Sequence, residues 1–537
     1  MPIPQAETPM MRQFHAIKRE HPDKILFFRM GDFYEMFGDD AVISAKVLQI
    51  ALTSRDKKSK NSVPMCGVPY HAYEQYLNKL TAAGFKVAIC EQMEDPAKVK
   101  RLVKREIVRI VTPGTTVSPQ LIEADRNHYL LGLNRSARSR NLGVAFVDIS
   151  TGEFEVCEFR QEDLSRFYDF AARLKPMEVL LPKSRSETET RFLEELTGRL
   201  EELLTCGKEQ EDAENSIQLF NFLDPYYFDF DSSTRHLKAH FQTLNLAGFG
   251  IEKLDQALAA AGALMRYLEE TQKCSLVHIT GIRVHHFEQT MLLDETSVVN
   301  LELFENQTGQ RRNTLYAVIN RTCTPMGARL LRQWISQPLL NVDAVNERLD
   351  SIDAFRQNFM LCREFRELLK TVQDLPRIMG RISLPVAGIA DLLALRESLQ
   401  PLQQVPGFLM EFESALVKQI AAGFDPLEDL LELLQTQLAE EPSPRLREGG
   451  YMASGINEKL DELRAISLNS KQFLNKLLVR ERERTGIGSL KISFNKVFGY
   501  YMEVSNAHRD EVPDEYIRKQ TLVNAERYIT PELKEFE

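Results

Sequence analysis

The spacing of hydrophobic residues along the first 110 positions changes several times, and each change predicts an element. Thr8-Pro9 supplies a capping hydroxyl and a proline at the first helical position. Met10, Phe14 and Ile17 then fall on one helical face until His21-Pro22 stops it. Ile25–Met30 is a largely apolar run of strand length, broken by Gly31-Asp32, two residues favoured where a chain turns sharply. Phe33, Tyr34 and Glu35 come next, which puts them just past the end of that strand. Residues 40–50 and 72–83 read as helices, the second closed by Gly84. Residues 85–90 read as a strand with Phe85, Val87 and Ile89 alternating, and Arg105–Val111 as another. Together these predict a small mixed α/β domain that ends at a linker near Thr112-Pro113-Gly114.

A second pattern follows. Residues 128–133, residues 143–149 and Glu153–Phe159 read as three antiparallel strands, the last two joined by a Ser150-Thr151-Gly152 turn. A helix over 163–174, a strand over 177–181, a helix over 190–204 and a long Ala-rich helix over 251–272 complete the unit. The order βββαβα resembles the ribonuclease H-like fold. That fold also hosts metal-dependent nucleases, whose two-metal chemistry needs several converging carboxylates. The strand at 129–133 carries no acid where a ligand is required, and Asp148 has no partner at a fixed spacing.

From about 275 to 485 strand signals nearly vanish, and 326–335, 341–370, 386–399, 406–421 and 426–439 read as helices parted by Pro or Gly. Residues 457–484, with Leu460, Leu463, Phe473, Leu474 and Leu477 at a helical period and Gly486 as the stop, predict a lever ~40 Å long at 1.5 Å per residue. The period then becomes two: Leu490, Ile492 and Phe494 alternate with Lys491, Ser493 and Asn495, Tyr500, Met502 and Val504 return, and 516–529 holds at least one more strand. A small β module thus sits at the tip of a long helix. Thr530-Pro531-Glu532 opens a further helix that stops within about two turns, too short to be stable alone, so the chain is expected to be a fragment.

Composition narrows the function classes. At 537 residues several domains are expected, and 43% hydrophobic and 27% charged residues are ordinary for a soluble protein. No apolar stretch has membrane-spanning length and no secretory signal opens the chain, so a cytosolic location is expected. Seven cysteines spread along the sequence argue against a disulfide framework or a local zinc site. The net charge of −10 runs against nucleic-acid binding, since phosphate contacts come from Lys and Arg. Three basic groups interrupt it: Arg55, Lys57, Lys58 and Lys60; Lys98, Lys100, Arg101, Lys104, Arg105 and Arg109; and Arg480, Arg482 and Arg484. Asn495, Lys496, Arg518, Lys519 and Arg527 add candidate phosphate contacts on the β module, which reads equally as a solvated tip.

The chemistry at Phe33 to Glu35 depends on the partner. Against DNA, an apolar ring can enter a base step from the minor groove, and a carboxylate two residues on can read an exposed base edge. Taken alone, the triplet reads as core packing with a surface acid. Residues Gly31 to Phe37, Pro64 to His71 (Pro-Met-Cys-Gly-Val-Pro-Tyr-His), Arg109 to Thr115, Thr324 to Arg332 and Phe498 to Tyr501 together resemble the MutS family of DNA mismatch-recognition proteins, in order and over essentially the whole chain. Asn320 departs from the acidic residue usual there.

The resemblance implies a multidomain α+β protein: a mixed α/β mismatch-binding domain over 1–115, a ribonuclease H-like connector over 125–273, a helical core with long lever helices over 274–470, a small antiparallel β clamp over 471–530, and the start of a return helix over 531–537. It implies that Phe33 is the wedge and Glu35 the base-contacting acid, and that Arg55, Lys57, Lys58, Asn495, Lys496 and Lys519 hold the DNA backbone. Implied partners are double-stranded DNA with mismatches or small loops, a second copy of the chain and a MutL-type protein, in a bacterial cytosol at the nucleoid. ATP and Mg2+ are implied for full-length members. These residues contain no Gly-x-x-x-x-Gly-Lys-Ser/Thr phosphate loop, so the chain is expected not to hydrolyse ATP, and no cofactor or metal is expected in it. The competing reading is a related DNA clamp or interaction scaffold that does not sense mismatches.

Overall fold

The computed structural model describes residues 8–55, 63–94, 101–135, 141–205, 219–384, 386–443, 446–495 and 499–537. The chain forms two compact units, Met1–Leu434 with Pro444–Leu446, and Gln435–Ser443 with Arg447–Glu537.

The first unit opens with helix α1 (Pro9–Glu20), capped by Thr8, whose hydroxyl accepts the Met11 N–H. A six-stranded sheet follows, built from β1 (Ile25–Met30), β2 (Phe33–Phe37), β3 (Thr53–Arg55), β4 (Val63–Pro69), β5 (Val87–Gln92) and β6 (Arg105–Val111) in the order β3-β4-β2-β1-β5-β6. Only the β1–β5 pairing is parallel. Helices α2 (Asp39–Leu48) and α3 (Tyr73–Ala82) bury Leu48, Leu77 and Leu80 against Ile25, Phe27, Tyr34 and Met36 on one face. On the other face α1 buries Met10 and Phe14 against Leu26, Phe28 and Phe37. Covered on both sides, β1 is apolar at successive positions from Ile25 to Phe28. Asp40 fastens these layers: its carboxylate accepts the Leu26 N–H at 3.0 Å and the Lys18 ammonium at 2.8 Å.

Thr112-Pro113-Gly114, expected as a linker, is instead a buried joint. The Thr112 hydroxyl and the Gly114 N–H donate to the carboxylate of fully buried Glu178 at 2.5 and 3.2 Å, and the Tyr267 hydroxyl donates at 2.6 Å. Proline and glycine mark a turn, and here a long-range acceptor rigidifies it.

Glu178 belongs to a second six-stranded sheet of order β11-β10-β7-β8-β9-β12. Strands β7 (Tyr129–Asn134), β8 (Leu142–Asp148) and β9 (Glu153–Phe159) form the expected antiparallel meander. Strand β10 (Glu178–Pro182) runs parallel to β7, β11 (Phe220–Leu223) parallel to β10 and β12 (Arg283–Val284) parallel to β9. The last two are too short to leave an alternation in the sequence. Helices α4 (Leu164–Leu174) and α5 (Glu187–Thr205) cover one face; α6 (Phe230–His240) and α7 (Asp255–Gln272) lie on the other. Asp148, weighed above as a metal ligand, is committed to the backbone: it accepts the His128 N–H at 3.0 Å and both the N–H and hydroxyl of Ser150, at 2.9 and 2.6 Å.

Ten helices follow among the described residues between Glu295 and Gln437. The helix expected over 341–370 divides into Val342–Gln357 and Phe359–Leu369 at Asn358, and that over 406–421 into Val405–Met410 and Ala415–Ala422. Arg329 and Asp374 form a two-pronged ion pair at 2.6 and 2.8 Å.

The second unit contains the long helix Glu458–Thr485, capped by Asn457 and ended by Gly486 at φ +73°. Its 28 residues span ~42 Å. It leads into an antiparallel sheet of β13 (Lys491–Asn495), β14 (Gly499–Ser505), β15 (Ile517–Thr521) and β16 (Ala525–Ile529), in the order β13-β14-β16-β15. Leu477, Ile487, Leu490, Met502, Tyr516, Tyr528 and Leu533 form its core. The alternation expected for β13 holds only in part, because Phe494 is exposed and meets Tyr500 edge-on. The closing helix Pro531–Phe536 packs through buried Leu533 and stacks Phe536 on Phe473 at 4.4 Å. No helix among the described residues is long and apolar enough to cross a membrane.

The second sheet makes two properties measurable. A Cβ at Gly143 would lie 2.1 Å from the Gln256 carbonyl carbon, so α7 starts directly on the β8 backbone. Gly143→Ala is therefore expected to destabilise the protein by about 1–3 kcal/mol in urea titration; wild-type stability would refute this seating. Burial, then Glu155 and Asp148, push the Glu153 carboxyl up to about 7. Its neutral form is favoured on folding, so its contribution is complete below the unfolded value of 4.5 and is lost as pH rises through about 7. Melting temperatures of Glu153→Gln relative to wild type should rise across that window, and a flat difference would contradict the assignment.

Candidate nucleic-acid interface

The candidate probe lies on a hairpin rather than in a turn after a lone strand. Met30 pairs with Phe33, leaving Gly31 and Asp32 as a two-residue connection, and Gly31 takes the φ of +57° that such a turn favours at its first position. Phe33, Tyr34 and Glu35 therefore begin β2, and alternation sorts them. Tyr34 and Met36 point into the core beneath α2 and α3, whereas Phe33, Glu35 and Phe37 share the face that α1 covers. Phe37 packs edge-on against Phe14 of α1 at 5.0 Å and is buried; Glu35 is partly exposed; Phe33 is 47% exposed. One row thus passes from core to surface over ~13 Å, at ~3.3 Å per residue.

The surroundings of Glu35 keep that surface shallow. Across the β2–β4 ladder Glu35 faces Gly67 and Phe33 faces Pro69. A Cβ at Gly67 would come within 3.3 Å of the Tyr34 carbonyl oxygen and 3.6 Å of the Glu35 Cγ, so glycine leaves the side of the carboxylate uncrowded. Buried Arg105 lies close enough for the Glu35 charge to act on it: burial lowers the Arg105 pKa, and Cys90 and Glu35 oppose that shift. Arg105 is held by the Arg29 carbonyl at 2.8 Å, the Val103 carbonyl at 3.1 Å and the Gln13 side chain at 3.1 Å, with its guanidinium 4.9 Å from the Phe28 ring centre.

Sequence reasoning passed over the residues behind the hairpin. Arg29 pairs with Tyr34, stacks its guanidinium 3.5 Å from the Tyr70 ring centre and donates through Nε to the Gly31 carbonyl at 2.5 Å. Glu91 lies 3.5 Å from Arg29 and accepts the Tyr34 hydroxyl, and burial followed by this bond raises the Tyr34 pKa. The available signal was the charge of Arg29 and Glu91 near the ends of largely apolar strands.

The basic groups are distributed differently from their spacing. Arg55 ends the edge strand β3, while Lys57, Lys58 and Lys60 lie outside the described residues, as do Lys98 and Lys100. The remainder of the second group is paired. Arg101 pairs with Glu94 at 2.5 Å, Lys104 with Glu106, and Arg109 with the Gln272 side chain at 3.0 Å; burial lowers the Arg109 pKa. The third group is likewise occupied: Arg480 meets Glu532, Arg484 meets Glu515 and buried Glu481, and Arg482 donates to the Leu490 carbonyl.

In the second unit Asn495 ends β13 opposite Gly499, and Lys496, between them, lies outside the described residues. Lys519 stands exposed on the edge strand β15, as the extra residue where the ladder skips from Arg518 to Gln520. Bulges re-aim side chains, and a bulged edge lysine also discourages strand-to-strand aggregation. Arg518 and Arg527, offered with it by the sequence, are paired to Glu526 at 3.2 Å and Glu503 at 3.1 Å. Among the described residues no three His, Cys, Asp or Glu side chains gather as a metal ion would require.

Comparison with known proteins identifies the family. Family models described as MutS domain I, MutS domain II and MutS domain III match residues 8–120, 128–280 and 296–526. The chain is similar to a protein named DNA mismatch repair protein MutS from Halothermothrix orenii, 43% identical over 99% of this chain and 57% of the relative. Proteins of the same name from Lachnoclostridium phytofermentans and Methanosarcina barkeri are each 41% identical over 99% of this chain, and over 55% and 59% of their own lengths. The chain therefore spans somewhat more than half the length of these relatives. With three domain models matched in order along nearly all of its length, the chain belongs to the MutS family.

Proposed function

We propose that this chain carries the DNA-contacting part of a mismatch-repair protein, binding duplex DNA at mispaired or looped positions. The observation that carries the reading is Phe33: a large ring, 47% exposed, at the outer end of a row whose inner end is locked in the core, with Glu35 beside it. Inserting such a ring costs a few kcal/mol of unstacking, and less where pairing is already faulty. Bending the site by 40–90° costs of order 1–6 kcal/mol, again less in a weakened duplex. Discrimination then comes from deformability. Glu35 adds to it by accepting a proton-bearing base edge, or by donating to a base acceptor when itself protonated, and by repelling an intact stack.

In this reading residues 1–115 are the mismatch-binding domain and 125–273 the connector. The β7–β9 meander, extended by parallel β10 and β11, supports a ribonuclease H-like assignment for the connector. Residues 274–470 are the helical core and lever, 471–530 the clamp, and 531–537 the start of a return helix. Arg55, Lys57, Lys58, Asn495, Lys496 and Lys519 are backbone contacts, which fix register without reading sequence. Dimerisation, a MutL-type partner, and ATP with Mg2+ belong to the full-length protein, in the cytosol. The 537 residues hold no Gly-x-x-x-x-Gly-Lys-Ser/Thr phosphate loop that would cradle ATP.

Affinities for mismatched and matched duplexes test the probe. Phe33→Ala is expected to lower their ratio by about tenfold, equivalent to about 1.4 kcal/mol. An unchanged ratio would favour the clamp or scaffold that does not sense mismatches. Glu35→Gln should change the ratio as well, and its role would be lost if both affinities stayed at wild-type values. Replacing Lys496 and Lys519 by Ala should weaken all duplexes alike and reduce the salt slope by about 0.9 per lost phosphate contact. A loss confined to mismatched DNA would contradict backbone positioning.

A further inference from the structure

We propose that Arg29 is the positioning residue of the Phe33 probe, acting from the opposite face of the sheet by fixing the Gly31-Asp32 turn. The proposal rests on Phe33 being the wedge. Arg29 and Tyr34 form a cross-strand pair on the hairpin, one position away from the Met30–Phe33 pair. Alternation therefore turns the Arg29 side chain away from the face that holds Phe33 and Glu35. Any influence on Phe33 has to pass through the backbone.

That path is short. Both carbonyls of the turn are held by donors outside it: the Gly31 oxygen by Arg29 Nε at 2.5 Å and the Asp32 oxygen by the Tyr70 N–H at 3.0 Å. The Arg29 guanidinium is fixed in turn. It stacks 3.5 Å from the Tyr70 ring centre, lies 5.6 Å from that of Tyr34, and faces Glu91 at 3.5 Å. Glu91 also accepts the Tyr34 hydroxyl, and Arg105 Nε binds the Arg29 carbonyl at 2.8 Å. Tyr70 thus contributes twice, its ring beneath the guanidinium and its N–H to the turn.

A planar guanidinium can stack on a ring while its Nε donates in the ring-parallel plane, which an ammonium cannot reproduce. With a side chain only 15% exposed, Arg29 is poorly placed to hold a phosphate. A two-residue hairpin tip would otherwise rock about its strand ends. Clamping both carbonyls keeps the Phe33 Cα–Cβ direction fixed before DNA arrives, so less freedom is lost when the ring enters the stack.

The test uses the whole chain with mismatched and matched duplexes, and a 2-aminopurine base beside the mismatch to report unstacking. Arg29→Lys is expected to melt near the wild-type temperature and keep matched-duplex affinity, while lowering the mismatch-to-matched ratio by about fivefold and reducing the 2-aminopurine signal. Tyr70→Leu, which removes the ring but keeps the N–H, should do the same. The Arg29→Lys/Phe33→Ala double variant should lose no more than Phe33→Ala alone, because both act through one ring.

If Arg29→Lys and Tyr70→Leu keep the wild-type ratio and signal while Phe33→Ala loses both, Arg29 does not position the probe. Multiplying effects in the double variant would likewise overturn the proposal, by showing an independent route such as a direct DNA contact. An unchanged ratio for Phe33→Ala would remove the wedge reading itself, and the role of Arg29 with it.

Discussion

The register of one hairpin is the constraint on which the candidate interface depends. Gly31 at φ +57° lets a two-residue turn set Met30 against Phe33, and every later pair on β2 follows. Side chains on a strand have a period of two, so a slip by one residue would turn Phe33 and Glu35 toward α2 and α3 and turn Tyr34 and Met36 toward the face that α1 covers. The slip is blocked from both sides. Tyr34 and Met36 lie in the core under α2 and α3, and Phe37 is enclosed by α1. The exposure of Phe33 is thus a consequence of how firmly its neighbours are buried.

The charge balance has a related logic. Most arginines that looked available along the sequence are tied to acids: Arg101 to Glu94, Arg484 to Glu481, Arg527 to Glu503, Arg518 to Glu526. An arginine paired in this way attracts phosphate weakly, and non-specific affinity for duplex DNA rests on unneutralised cations. Under the proposed function this suits a protein that must distinguish a fault in a duplex from the duplex itself. The energy of recognition is then drawn from the bend and the unstacked step, where faulty and intact DNA differ. In the second unit Lys519 stands exposed, raised on a bulge at a sheet edge.

Rigidity runs through the first unit by close backbone approach and buried acceptors. The start of α7 sits on Gly143, and a Cβ at Gly262 would meet the Ser233 side chain at 2.2 Å, so α6 and α7 touch nearly backbone to backbone. Glu178 collects donors from the turn at Thr112 and Gly114 and from Tyr267 of α7. A segment that proline and glycine mark as a linker is therefore a fixed joint between two sheets.

The sequence alone determined the features whose cause is local. The capped and proline-started helices at Thr8, Thr324 and Thr530, the helix stop at Gly486, the strands Ile25–Met30, Arg105–Val111 and Glu153–Phe159, and the antiparallel meander each follow from residues within one element or its immediate turn. The ordered motifs carried the family. Tertiary structure decided whatever depended on a distant partner. It joined short β11 and β12 to a sheet that only their neighbours reveal, and it broke the helix at Asn358. It turned Arg105 and Arg109 inward, because burial and a remote acceptor outweigh membership of a basic run. On the first hairpin, the sequence named Phe33 and Glu35 as candidates. Only the fold put them on one exposed row and set Arg29, Tyr70 and Glu91 behind it, since strand pairing, and not proximity in the chain, brings those side chains together.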